Sequence, residues 1–99
     1  MAENKVIYCF SITARGFDPD LLKALLLIAV KETDLVFSRA RRKLETDVRL
    51  SAHKPRCSIE GGTDCGEHLA RLLSGFLIKQ VGEDGFRVRR ETGNGKKGA

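Results

Sequence analysis

A chain of 99 residues with 41% hydrophobic and 31% charged side chains has room for one domain and one modest core, and this composition excludes a disordered polymer. Cys9, Cys57 and Cys65 are odd in number and lack framework spacing, which excludes a disulfide-stapled scaffold and points to free thiols in a reducing compartment. The net charge of +5 is concentrated: between residues 39 and 56 seven basic residues face two acids, Glu45 and Asp47, so this segment alone carries the whole excess.

The opening MAENKVIY has no basic region ahead of an apolar run and does not read as a signal peptide. The apolar run 21–30 is interrupted by Lys23 and is too short to span a bilayer, so a cytoplasmic protein is expected.

Residues 5–13 predict a strand. Val6, Tyr8, Phe10 and Ile12 alternate with Ile7, Cys9 and Ser11, and both sets are apolar enough for a central position. After the turn at Ala14-Arg15-Gly16-Phe17, Asp18 caps a helix with Pro19 at its first position and Asp20 in its first turn. Apolar residues wrap nearly all the way around this helix, which runs to about Lys31 or Thr33. It therefore needs cover on two sides, one from the sheet and one from a second copy of the chain. Leu22, Leu26 and Val30 are the expected interface of that homodimer.

Residues 35–44 read as a strand, with a helical stripe of Val36, Ala40 and Leu44 as the alternative. Val48, Leu50 and Ala52 then alternate with Arg49, Ser51 and His53 in a further strand. The apolar parity shifts after Lys54-Pro55 to Cys57 and Ile59, which implies a bulge or a turn at the proline. Gly61-Gly62 ends this segment. Asp64, with Glu67 three residues on, marks a helix start, and Leu69, Leu72, Leu73, Phe76, Leu77 and Val81 form its apolar stripe. Gly75 weakens the middle of this helix and leaves room for a close helix contact; Gly82 closes it. Phe86 and Val88 alternate with Arg87 and Arg89 in a short last strand. Residues 91–99 read as a flexible basic Gly/Lys tail to a single domain of residues 1–90.

The order strand, helix, strand, strand, helix, strand is that of a ferredoxin-like split βαβ (βαββαβ) α+β fold: a four-stranded antiparallel sheet with two helices on one face. The architecture hosts many functions and selects none.

Arg39, Arg41, Arg42, Lys43, Arg49, Lys54 and Arg56 are the candidate binding residues. Clustered positive charge attracts polyanions by counterion release, giving affinity without sequence specificity. Arg49, Ser51 and His53 would share the open sheet face with Tyr8 and Phe10 as stacking surfaces, with Arg39 and Arg41 at its edge and Arg87 and Arg89 flanking it. The stretch 7–12 resembles the first-strand motif of RNA-recognition modules, but DVRLSAHKPR carries none of the glycine and aromatics of their third-strand motif, so membership is not indicated.

His53, Cys57, Cys65 and His68 are zinc-type ligands, but H-x3-C-x7-C-x2-H is not a strong zinc spacing. Cys65 near a helix start with His68 one turn on could make a reactive thiol, opposed by Asp64 and Glu67. The Gly-rich stretch 60–66 lacks the phosphate-loop ending and reads as a turn. The sequence thus favours a non-catalytic protein without cofactor or metal, binding nucleic acid or another anionic partner. The alternatives are an oligomeric small-molecule-binding or regulatory protein with its site at a subunit interface, and a small thiol or metal-dependent protein using Cys65 and His68.

Overall fold

The two apolar parities of the first predicted strand place it at the centre of a sheet. In the computed structural model, which describes residues 5–51 and 54–93, β1 (Lys5–Ile12) pairs on one side with β3 (Arg56–Gly61) and on the other with β4 (Phe86–Gly93). The short β2 (Val48–Leu50) pairs with β3, so the strands lie in the order β2-β3-β1-β4, all antiparallel. Three α-helices complete an α+β fold in the order β-α-α-β-β-α-β: α1 (Pro19–Phe37), α2 (Arg39–Glu45) and α3 (Asp64–Val81).

The strand expected over 35–44 does not form, and the two expected helices become three. Residues 35–37 are the last turn of α1, and 39–45 form α2. The break falls at Ser38, the one described non-glycine residue with positive φ (80°). Its N–H still bonds the Asp34 carbonyl and its hydroxyl accepts the Arg41 N–H at 3.3 Å, so one residue ends a helix and caps the next. Arg42 reaches back across the break to the Asp34 carboxylate, and Arg41 stands 5.0 Å over the Phe37 ring while pairing with Glu45 at 2.6 Å. These contacts are one helical turn or two apart, a periodicity that a strand cannot use.

The missing strand is recovered from the next segment. The single run expected from Val48 past Pro55 is two strands, joined by a connection in which Pro55 offers its carbonyl to the Ile12 N–H. Ala52 and His53 lie outside the described residues. The parity shift at the proline is therefore a turn between strands. The last strand is longer than expected and extends to Gly93, into the segment read as a tail; residues 94–99 lie outside the described residues.

Phe10, Ile12, Cys57 and Ile59, all of one strand parity, bury against Leu22, Leu25, Leu26 and Ala29 of α1 and Leu69, Leu73 and Leu77 of α3. The cap of α3 is Thr63, one residue before the expected Asp64; its hydroxyl accepts the Gly66 N–H at 3.0 Å. Gly66 also lets the helix start close on the sheet, since a Cβ there would run into the Glu60 carbonyl. Gly75 has open space beside it and serves no close helix contact. Among the described residues no helix is long and apolar enough to cross a membrane.

Candidate anion-binding face

The sheet face opposite the helices is assembled by register. Arg49 pairs with Ser58, Ser58 with Cys9, and Cys9 with Arg89, so these four side chains form one row across all four strands. Two residues along, Arg56 pairs with Ser11 and Ser11 with Arg87 in a second row. Both rows line an open concavity of about 740 Å³, floored by small Ser and Cys side chains and walled by arginines. A third row, in the other direction, holds Ile7 between Glu60 and Glu91, with Asp47 beside Glu60. Among the described side chains, one end of the open face is therefore basic and the other acidic.

The four arginines are not equivalent. Arg49 pairs with Asp47 at 3.0 Å and Arg89 with Glu91 at 2.8 Å, each along its own edge strand. Arg56 and Arg87, both exposed, form no ion pair among the described residues. Exposed pairs of this kind hold little free energy, but each cancels a charge on the face. The Cys9 thiol is pushed up by partial burial and by Glu91, against the opposing pull of Arg89 and Arg56.

The candidate residues of the sequence are split by this geometry. Arg49 and Arg56 lie on the open face, and Lys54 stands in the connection at the same end of the sheet. Arg39, Arg41, Arg42 and Lys43 lie on α2, in the helix layer, whose end is tied through Thr46 to Glu60 at the acidic end of β3. They do not edge the same surface. Arg41 and Arg42 are already engaged with Glu45 and Asp34. Tyr8 and Phe10 also differ from expectation. They have the helix-facing parity: Phe10 is fully buried, and the Tyr8 hydroxyl is bonded to Glu67 of α3. The open face therefore has no aromatic side chain from β1. Ser11, Ser58 and Cys9, absent from the candidates, have strand alternation as their signal: they take the opposite parity to Phe10 and Ile59. The same alternation marks Arg87 and Arg89.

Two of the three residues expected at an interface are buried. Leu22 and Leu26 sit in the domain's own core at 0% and 5% exposure, and Val30 is partly buried against it, so none of them forms an outward face. Because α3 covers more of α1 than the sheet alone could, the exposed apolar residues are instead Leu27, Ile28, Leu35 and Val36. Ala24, Leu27, Ile28 and Leu35 share one side of the helix, with Lys31 among them.

Cys57 and Cys65 are buried, and all three cysteines are free. Burial and then Glu45 push the Cys65 thiol up, and His68 meets Phe37 edge-on at 5.5 Å. Among the described residues no group of three or more His, Cys, Asp and Glu is placed to hold a metal; His53 lies outside them. Compared with known proteins, the chain matches no family model, no curated protein and no solved structure.

Proposed function

We propose that this protein is a non-catalytic binding protein whose open sheet face takes the phosphate backbone of a nucleic acid. The observation that carries this reading is the convergence of Arg49, Arg56, Arg87 and Arg89 around one concavity, two of them without a counter-ion among the described residues. Guanidinium groups match phosphate oxygens through forked donors and hold their charge at any physiological pH. The α2 cluster adds long-range attraction from the other layer. With Tyr8 and Phe10 turned inward, base stacking is not part of the interaction, and affinity should be indifferent to base identity. We read the architecture as a ferredoxin-like arrangement whose first helix is split at Ser38, in keeping with the 2-3-1-4 strand order, and the free thiols as suited to the cytoplasm.

The test is a fluorescence-anisotropy titration with labelled homopolymeric single strands and with duplex DNA over a range of salt concentrations. The expected result is binding with a log–log salt slope of about −2 to −3 on single strands and about −3 to −4 on duplex, as for three or four neutralised phosphates, and with similar affinity for each base. Failure to bind at low salt, or a strong preference for one base, overturns the reading.

A second reading, an oligomer with its site at a subunit boundary, is favoured by the exposed Leu27, Ile28 and Leu35 on one side of α1. It concerns a different surface and is compatible with the first.

A further inference from the structure

The two rows of the open face differ in a way that goes beyond a general basic surface. Ser11 stands on the central strand with Arg56 directly across from it on one neighbour and Arg87 directly across on the other. Opposite residues on one face of an antiparallel pair have Cβ atoms about 5 Å apart, so both guanidinium groups can arch over the serine. The side-chain hydroxyls of Thr13, Thr33, Ser38, Thr46, Ser51, Thr63 and Ser74 are engaged within the protein, whereas Ser11, like Ser58 in the next row and Thr92, has no such bond among the described residues; of these, only Ser11 lies between two arginines without an ion pair. It points into the concavity.

We propose that the open face contains a seat for one phosphate group above Ser11, gripped by Arg56 and Arg87 from either side, and that the phosphodiester chain crosses the strands from β2 to β4 instead of running along them. This rests on the open-face reading above. Three donor groups arriving from three directions suit the two non-bridging oxygens of a phosphodiester, set on a tetrahedral phosphorus with its ester oxygens around them, better than the two coplanar oxygens of a carboxylate. The direction follows from charge. Along the strands, Glu60, Glu91 and Asp47 stand only about 13 Å from the seat, four residues at strand rise, and repel the next phosphates. Across the strands, Arg49 and Arg89 lie one row away near the two edges, and each can exchange its carboxylate for a phosphate at little cost.

The experiment compares two double variants, Arg56→Gln/Arg87→Gln and Arg49→Gln/Arg89→Gln, for binding of a short labelled single-stranded DNA, with thermal melts confirming that both stay folded. Each removes two positive charges from the same exposed face, so bulk electrostatics predicts equal losses. The seat predicts a loss of about 30-fold or more for the first pair, which gives up two charged hydrogen-bonding groups, and less than about 5-fold for the second. Equal losses, or a larger loss for the outer pair, overturn the seat while leaving the open face as the binding surface. No loss from either pair overturns the seat and the open-face reading together. As an independent readout, inorganic phosphate should slow alkylation of Cys9, one row from Ser11, in the wild type and in Arg49→Gln/Arg89→Gln but not in Arg56→Gln/Arg87→Gln. Equal protection in all three proteins, or protection by an acidic peptide as strong as by phosphate, overturns the phosphate seat.

Discussion

The Tyr8 hydroxyl lies 2.8 and 2.9 Å from the two carboxylate oxygens of Glu67, tying the central strand to the first turns of α3. The same carboxylate accepts the Gly62 N–H at 3.1 Å, so it also closes the turn between β3 and α3. The ring passes directly by Gly61, where a Cβ would lie 2.5 Å from its edge. This contact removes the one tyrosine of the chain from the open face and gives it a structural task.

Glu67 is held below the ordinary carboxylate range, first by the Gly62 N–H and then by the Tyr8 hydroxyl. A carboxylate depressed in the folded state contributes stability that is complete above its unfolded pKa and is lost as pH falls through the folded value. Tyr8→Phe should therefore cost about 1 kcal/mol at neutral pH, and Glu67→Gln somewhat more because two donors lose a charged acceptor. Urea melts at neutral pH and below about pH 4 check this: the difference between wild type and Glu67→Gln should shrink at the acid end. A difference that does not change with pH would mean that the carboxylate is not stabilised as its partners imply.

Ser38 has φ 80° and ψ 151°, a region that glycine occupies without penalty and other residues avoid. Ser38→Gly should relieve about 1 kcal/mol or more of backbone strain and lose only a few tenths for the cap to Arg41. The melting temperature should rise by roughly 5 °C. Ser38→Ala keeps the strain and loses the cap, so it should melt below the wild type.

Leu22 and Leu27 lie on the same helix with opposite fates, 0% and 51% exposed. Leu22→Ala should cost about 2–5 kcal/mol, as expected when a buried side chain leaves a cavity. Leu27→Glu should leave folding stability within about 0.5 kcal/mol. If copies of the chain associate through this side of α1, light scattering will show Leu27→Glu shifted towards monomer; an unchanged mass would remove that face as an interface.

The cysteines should separate cleanly by labelling. Cys9 is half-buried in the concavity, whereas Cys57 and Cys65 are buried at 3% and 0% exposure, with the Cys57 thiol pushed up to about 12 by burial. Native protein should take up one alkyl group, at Cys9, more slowly than a free thiol at neutral pH and faster as pH rises, because burial and Glu91 hold that thiol up. Denaturant should expose all three. Mass spectrometry that finds native labelling at Cys65 instead would contradict the packing of α3.

Much of the architecture is legible in local pattern. Alternation in β1, the Asp18-Pro19 start of α1, the stripe of α3 and Gly82 at its end each follow from residues within one or two turns of each other. The strand count of four agrees with expectation because two differences offset: 35–44 is helical, and the run broken by Pro55 is two strands, the turn and not the bulge that the parity shift allows. In 35–44 the two periodicities compete. The arginines that alternate as in a strand also bridge to Asp34 and Glu45 as in helices, and only the back-reaching contacts decide between them.

The candidate site was half legible for the same reason. Sequence alone determined that the chain is a small α+β domain with its excess charge in one stretch, because composition, alternation and capping are properties of neighbours along the chain. The tertiary structure decided which charges work together. Strand pairing brought Arg56 and Arg87, 31 positions apart, to either side of Ser11, while the break at Ser38 carried Arg39 to Lys43 into the other layer. Alternation marks which face a side chain takes, but which residues meet across the strands, and which layer a segment joins, is set by contacts between distant segments.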